Sequence, residues 1–342
     1  MRRAVLRVTY DGVDISADIA EYLTEFSFTD RAHGKQDDIS IGLQDKRGLW
    51  RGAWFPAKGA TLRASIEVLD WLRPGDSRSL DCGRFSIDEI EYRFPPSTLQ
   101  IGGVAVSIDC ALRQELKSRA WESTSLRKIA ETVAKNAGLK LFYDSRVNPS
   151  WKRVDQREES DAALVERLCR DGALNCKVTA GQLVIFNGAD YDSMPAVATF
   201  APDSPDLISG SFRTKTDEIY RGCRAQYWDA KSQKLHTFTY APKGGPRSGK
   251  TMKLNSRYES KAQAEAAAKA AFRNSNTQER TGSLSLVGRP DIAAGQNVEI
   301  QGFGAFDGKY AVAEAQHSYS NSGGYTTSIS LRTTLEDEND AG

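Results

Sequence analysis

Apolar and polar residues alternate with period two through much of the chain, and one stretch loses step in an informative way. Residues 83–94 read Gly-Arg-Phe-Ser-Ile-Asp-Glu-Ile-Glu-Tyr-Arg-Phe. Phe85 and Ile87 share one face of an extended strand, whereas Ile90, Tyr92 and Phe94 fall on the other. The slip recurs in residues 308–319, Gly-Lys-Tyr-Ala-Val-Ala-Glu-Ala-Gln-His-Ser-Tyr. There Tyr310 and Val312 share a face, and Ala315, His317 and Tyr319 switch. Alternation that shifts by one residue marks a bulge or a sharp bend. The flanks repeat as well. Gly59 and Gly295 each open an alternating strand upstream, and Leu99 with Ile101, like Ile329 with Leu331, alternate downstream. Any two bulged hairpins look alike over a short window; the shared flanks and shared slip favour a duplicated β unit.

The remaining pattern predicts the other elements. Leu6, Val8 and Tyr10 alternate into Asp11-Gly12, a hairpin turn that Val13 and Ile15 leave. Phe26 with Phe28 and then Ile39, Ile41 and Leu43 predict further strands, and a tryptophan-rich loop spans 49–56. Strand and turn up to about Asp109 suggest a small barrel or sandwich. Leu126, Ile129, Ala130, Val133, Ala134 and Ala137 then recur at helical spacing, with Ser123 or Thr124 as cap and Gly138 as stop. Leu139, Leu141 and Tyr143 form a strand. Ser160-Asp161 opens a second helix through Leu164, Val165, Leu168 and Cys169 to Gly172, and a hairpin follows around Ala180-Gly181. From Met194 the pattern is β again, with a hairpin over 219–228 and 235–240. Ser260-Lys-Ala-Gln263 is a capping box that starts an alanine-rich helix to about Arg273. The acidic run 336–340 reads as a frayed tail.

Composition narrows the classes of function. The 342 residues suffice for two or three domains with proper cores, at 39% hydrophobic and 27% charged residues. Lys plus Arg (46) nearly cancels Asp plus Glu (45), so a net charge of +1 gives no general pull toward nucleic acid or anionic lipid. No apolar run approaches the ~20 residues of a membrane span, so no membrane insertion is expected. The N-terminus, Met-Arg-Arg-Ala-Val-Leu-Arg-Val, lacks the apolar core of a signal peptide, which points to assembly in a cytoplasm. Five cysteines (Cys82, Cys110, Cys169, Cys176, Cys223) without a C-x-x-C pair read as reduced, half-buried fillers.

Candidate chemistry is sparse. Residues 244–251, Gly-Gly-Pro-Arg-Ser-Gly-Lys-Thr, satisfy the P-loop pattern, but that loop needs a helix starting at its lysine. Met252-Lys-Leu-Asn-Ser256 intervenes before the cap at Ser260, so a flexible basic loop is the better reading. His33, His236 and His317 lie far apart and do not cluster with cysteine, which argues against zinc. No G-x-S-x-G elbow occurs. Glu158, Glu159 and Asp161 could form an acid/base set, but at a helix start they are more simply charge near the positive end of the dipole. No catalytic, cofactor-binding or metal residue is therefore assigned. Trp50, Trp54 and the adjoining Phe55 are the candidate partner-contact residues; the tryptophans either pack their own loop or fill a partner's pocket.

Several stretches together resemble a known family over nearly the whole chain. They are Asp14-Ile-Ser16, Asp37-Asp-Ile-Ser-Ile-Gly-Leu-Gln-Asp45, Pro56-Ala-Lys-Gly59, Gly83-Arg-Phe-Ser-Ile-Asp-Glu-Ile90 and Leu112-Arg113 leading to Ala120-Trp121. Leu126-Arg-Lys-Ile-Ala130, Gln156 with Glu159-Ser-Asp161, Phe306-Asp-Gly-Lys-Tyr310 and Gly323-Gly-Tyr-Thr-Thr327 complete the order. In sequence and spacing they resemble the phage late control D proteins, hubs of contractile-tail baseplates. The resemblance implies a mainly β fold of two duplicated tail-tube-like β-barrels plus a small helix-containing α/β module. It implies a first barrel at 1–112, an inserted module at 113–188, a second barrel at 189–335 with a hairpin and helix (about 260–273) excursion, and a disordered tail at 336–342. It further implies a homotrimer whose six barrels ring a channel. That ring would join a trimeric central spike protein to the hexameric tail tube protein, among other baseplate proteins in a virion tail or phage-tail-like particle, with no cofactor, no catalysis and no specific nucleic acid binding. The basic loop 243–253 lies outside this pattern. Two other readings compete: a peptidoglycan-binding module, because 126–130 followed by Gly138-Leu139 faintly resembles LysM repeats, and a P-loop nucleotide-binding protein.

Overall fold

The structure, a computed structural model, describes residues 2–34, 36–71, 73–105, 112, 115–179, 181–229, 232–242, 249–258 and 260–335. The first third contains β1 (Arg3–Tyr10), β2 (Val13–Asp14), the short helix α1 (Ser16–Ile19), β3 (Leu23–Arg31), β4 (Asp38–Gln44), β5 (Thr61–Leu69), β6 (Arg78–Arg93) and β7 (Thr98–Ala105). A middle region follows with β8 (Leu116–Ser125), α2 (Leu126–Asn136), β9 (Lys140–Asp144), β10 (Ser150–Ser160), α3 (Asp161–Asp171), β11 (Asn175–Thr179) and β12 (Gln182–Phe186). Then come α4 (Gly188–Ser193), β13 (Ala196–Phe200), β14 (Leu207–Thr214), β15 (Tyr220–Asp229), β16 (Lys234–Tyr240), β17 (Lys250–Tyr258) and α5 (Lys261–Asn276). The chain closes with β18 (Arg280–Val287), β19 (Asn297–Ile300), a single turn at Gly304–Phe306, β20 (Gly308–Ser320) and β21 (Gly324–Thr333). The fold is mainly β, as the alternation predicts.

The phase slip is a bulge in both places. Between β6 and β7, Ile87 faces Gly103 and Glu89 faces Gly102, so Asp88 is the extra residue. Between β20 and β21, Val312 faces Leu331 and Glu314 faces Ser330, so Ala313 is extra. The inserted residue returns Ile90 and Tyr92 to the inner face, where they pack on the core that holds Phe85 and Ile87. Backbone hydrogen bonds repeat with it. Gly59 N donates to Ile87 O (2.8 Å) and Ile87 N to Ala60 O (3.0 Å), while Gly295 N donates to Val312 O and Val312 N to Gln296 O, both at 2.8 Å. A second bulge also recurs, between Leu23 and Glu25 in β3 and between Leu207 and Ser209 in β14.

Strands β3, β4, β7, β6 and β5 thus correspond in order to β14, β18, β21, β20 and β19. The downstream match is finer than the alternation conveys. Ile101 corresponds to Ile329, since they oppose Ile90 and Ala315, and the counterpart of Leu99 is Thr327. The copies differ at one margin, where β1 lies antiparallel to β5 but β13 lies parallel to β19. Each copy has its own apolar core, one centred on Phe26, Ile41, Leu62, Ile66 and Phe85, the other on Phe200, Leu286, Val298, Val312 and Ile329. The copies are joined edge to edge by β20 pairing with β3, so that among the described residues 13 strands form one continuous sheet.

The middle region packs α2 and α3 against the three-stranded β11-β12-β9 sheet, with the antiparallel β8–β10 pair beside them. Helix α2 starts one residue later than its expected caps, because the backbone is satisfied from elsewhere. Pro149 O accepts from Leu126 N (2.9 Å) and Asn148 Oδ1 from Arg127 N (3.1 Å). Helix α3 begins as expected, with Ser160 Oγ accepting from Ala163 N at 3.2 Å. Ser260 likewise caps α5 from Gln263 N at 3.2 Å, and α5 runs on to Asn276, past Arg273, burying Ala264, Ala268 and Phe272. After Asp11-Gly12 the expected strand lasts two residues, and Ile15 leads into α1 instead. Lys250 and Thr251 lie in β17 and open no helix, which removes the geometry a P-loop requires. The basic loop's residues 243–248, the acidic tail 336–342, Cys110, Arg113 and the turn residues Ala180, Ala230 and Lys231 lie outside the described residues.

Gly59 (φ +81°) and Gly295 (φ +90°) both have open space where a Cβ would stand, so alanine there meets backbone strain alone. Gly59→Ala and Gly295→Ala should each cost about 1–2 kcal/mol. Chemical denaturation followed by tryptophan fluorescence measures both; a cost at one glycine and none at the other would contradict the equivalence of the two turns.

Candidate assembly interface

The first feature of the candidate site is the aromatic loop. Asp45 is buried, and its carboxylate accepts from Trp50 N (3.0 Å) and Arg51 N (3.3 Å), which folds 45–51 into a closed turn. Tyr10 Oη accepts from Ala57 N at 3.0 Å and fixes the far end. Within the loop Trp50 is 6% exposed and belongs to the core, whereas Trp54 and Phe55 are 43% and 52% exposed. Trp54 stands edge-on to Trp50 (5.4 Å between centroids) and to Tyr22 (6.0 Å). The three predicted residues are therefore brought together, with Trp50 beneath and Trp54 and Phe55 facing outward. They border a 420 Å³ cleft whose floor is Ile41, Leu43 and Leu62. Tyr22 and Asp45 were missed as members of this site. Asp45 followed by Gly48 is a turn signal that could have found one of them; Tyr22 is brought in from a distant strand start.

The second feature is the intramolecular seam between the two copies. Strand β20 pairs with β3 from Glu314 opposite Arg31 to Tyr319 opposite Phe26. Arg31 Nε donates to Glu314 Oε2 at 3.0 Å, and its Nη1 donates to Gln36 O at 2.7 Å and pairs with Asp38. Asp30 binds in two directions. Its Oδ1 accepts from Lys177 Nζ in the middle region (2.7 Å), and its Oδ2 from Ala294 N in the second copy (2.8 Å). Lys177 also donates to Arg31 O (2.6 Å) and lies 2.9 Å from Asp37. Burial raises the Asp37 carboxyl above the ordinary range, and the Lys177 charge opposes that rise. First copy, second copy and middle region thus meet on neighbouring residues of one strand.

Beneath the seam lies His317, 1% exposed. Its ring stacks on Phe28 (6.0 Å, 16°), and its Nδ1 is 2.8 Å from Tyr325 Oη and 3.2 Å from Thr327 Oγ1. Burial drives its pKa down to about 4, against the weaker opposing charge of Asp30. The remaining sequence candidates have structural surroundings. Asp161 is held by Lys117 Nζ (2.9 Å), Arg119 Nη2 (2.6 Å) and Gln156 Nε2 (2.9 Å), and Glu159 pairs with Arg167 at 2.7 Å. Burial opposes the Asp161 charge, but the Gln156 hydrogen bond and the two cations outweigh it and hold the carboxyl below its ordinary value. Among the described residues no three His, Cys, Asp or Glu side chains gather in a metal-holding group, and no helix is long and apolar enough to cross a membrane.

The class that this geometry defines is an internally duplicated, mainly β protein, with one copy stitched to the other by strand pairing. Comparison with known proteins agrees. Residues 105–323 match the model of the family described as phage tail baseplate hub (GPD), and the chain belongs to that family. It is 26% identical to the "Probable baseplate hub protein" of Escherichia phage 186, over 96% of this chain and 93% of that one. To the protein of the same description from Escherichia phage P2 it is 27% identical, over 96% and 92% of the two chains. A tail protein from Neisseria meningitidis MC58 has the same fold at 14% identity, with a TM-score of 0.71 and coverage of 98% and 97%. The protein is a baseplate hub, and its place is the tail of a phage or phage-like particle.

The buried histidine makes the seam sensitive to acid. The folded-state pKa of His317 lies below the unfolded value near 6.5, so its neutral form is favoured in the fold. Stability from this group is complete above about pH 6.5 and falls by up to about 3 kcal/mol as pH drops through the folded pKa. His317→Asn should flatten the stability profile between pH 6.5 and 4, measured by denaturant titration at stepped pH; an unchanged slope would exclude His317 as its source.

Proposed function

We propose that the hub works as a homotrimer whose three pairs of β units form a pseudo-sixfold ring around a channel. The observation that carries this reading is the duplication itself, with its two matched bulges and matched glycine turns. A chain with two equivalent units presents six of them from three copies, which lets a threefold spike meet a sixfold tube without breaking symmetry. In this reading the units are residues 1–112 and 189–335, with 113–188 an inserted module outside the repeat and a hairpin and helix (about 260–273) an excursion from the second unit. The partners are the tail tube protein on one face, the central spike protein on the other and further baseplate proteins at the rim. The hub acts by assembly and not by catalysis. A net charge of +1 suits a channel that must not hold DNA tightly.

Within the ring, Trp54 and Phe55 make partner contacts and Trp50 supports them from below. Their exposures support this division, since exposed aromatics beside an apolar cleft are favoured anchors. Trp50→Ala should cost about 3–5 kcal/mol of stability. Phe55→Ala should change stability by less than about 0.5 kcal/mol and still lower the yield of complete tails in a complementation assay; an undiminished yield would remove Phe55 from the contact. The stoichiometry has its own test in quantitative mass spectrometry of purified tail particles. A hub count equal to that of the trimeric spike protein is expected, and a hub count equal to that of one tube ring would refute the trimer.

A further inference from the structure

The junction inside the chain is a template for a junction between chains. It joins the second unit to the first, using β20 beyond its bulge and β3. The corresponding elements, β6 beyond its bulge and β14, are both left open. Past Asp88, β6 pairs on one side only, with β7, and β14 pairs only with β18 among the described residues. Burial reports the same difference. Phe26, Phe28 and Thr29 of β3 are buried under the seam, whereas no residue of β14 is buried. Ala315 and His317 of β20 are buried, whereas the equivalent Ile90 and Tyr92 are only half-buried. An open strand edge exposes a row of unpaired N–H and C=O groups and invites another strand.

We propose that residues 89–94 of one hub chain pair antiparallel with residues 210–215 of the next, closing the sheet around the ring. The proposal rests on the trimeric ring reading and assigns its chain-to-chain contact. The internal repeat dictates the register. Transferring Glu314 opposite Arg31 to the equivalent positions places Glu89 opposite Lys215, and the same transfer places Glu91 opposite Arg213 and Tyr92 opposite Phe212. The first pair reproduces the charges of the Glu314–Arg31 bridge, and the second adds another opposite pair. Tyr92 with Phe212 takes the place of the His317–Phe28 stack. In the single chain Lys215 pairs with Glu218 (3.3 Å) and Glu91 with Arg93 (2.6 Å), both exposed bridges that exchange at little cost. Phe94 and Ile208, 76% and 56% exposed, lie at the same end of the proposed junction and would be covered by it. The junction is heterologous, the kind of contact that builds a closed ring when the rotation between copies closes, as the trimeric reading requires.

Paired cysteines test the register in tail particles assembled in the producing cell. Facing residues of an antiparallel pair are within disulfide reach, but a pair displaced by two residues is not. Under mild oxidation Glu89→Cys with Lys215→Cys should give a covalent hub trimer on a non-reducing gel, while Glu89→Cys with Arg213→Cys and the unsubstituted hub stay monomeric. Hub present at the spike's copy number but unlinked, linked only in the displaced pair, or linked to another protein overturns the register and leaves the ring standing. Hub at any other copy number overturns the ring and the register with it. Charge reversal reads the contact independently of the cysteines: Glu89→Lys should lower particle yield and Lys215→Glu added to it should restore the yield. No restoration counts against the pairing.

Discussion

The placement of the two β units relative to one another depends on the pairing of β20 with β3. A sheet edge in water is an open row of hydrogen-bonding groups, and two β units in one chain would present several. Here the late half of β20 covers β3, so one unit completes the other and 13 strands become continuous. The residues beside that pairing are chosen for it. Arg31 answers Glu314 across the strands, and Asp30 ties the backbone at Ala294 and the ammonium of Lys177 to the same place. Burying a histidine and partly burying several charges is costly unless each finds a partner. At the seam each of them does, and this makes the relative placement of the two units specific.

The bulge follows from the same constraint. Strand β20 serves two neighbours on one side: its start pairs with β19 and, past Ala313, its remainder pairs with β3. One strand can hand over from one partner to another only by bending, and an extra residue bends it while keeping its apolar side chains on the inner face. Strand β6 carries the identical device at Asp88 although its late half meets no neighbour on that side among the described residues. The middle region is held differently, through its own apolar core and through the buried carboxylate of Asp161, which gathers Lys117 and Arg119. Within the second unit, Asp192 likewise gathers Arg273 and Arg332 from α5 and β21.

Much of this was legible in the sequence, because a period of two and its interruption are local properties. Matching phase slips at residues 88 and 313 announced the bulges, the glycines announced the turns, and Ser160 and Ser260 announced two helix starts. Less legible were strands whose pattern is diluted by polar residues, such as β8, β10 and β17, and a helix start whose backbone is satisfied by residues 148–149 in place of its own cap. The aromatic loop was half legible: the sequence placed Trp50, Trp54 and Phe55 together, but which of them faces solvent depends on Tyr22 and the floor of the cleft.

By itself, then, the sequence determined the duplication, the mainly β character and the likeness to baseplate hubs, since each is carried by residue order along the chain. Only the tertiary structure decided which strand lies beside which. Arg31 and Glu314 are separated by 283 positions, and no local periodicity encodes a partner so far away. The choice is made by the free energy of covering one specific edge with another, and the two edges are built from residues far apart in the chain.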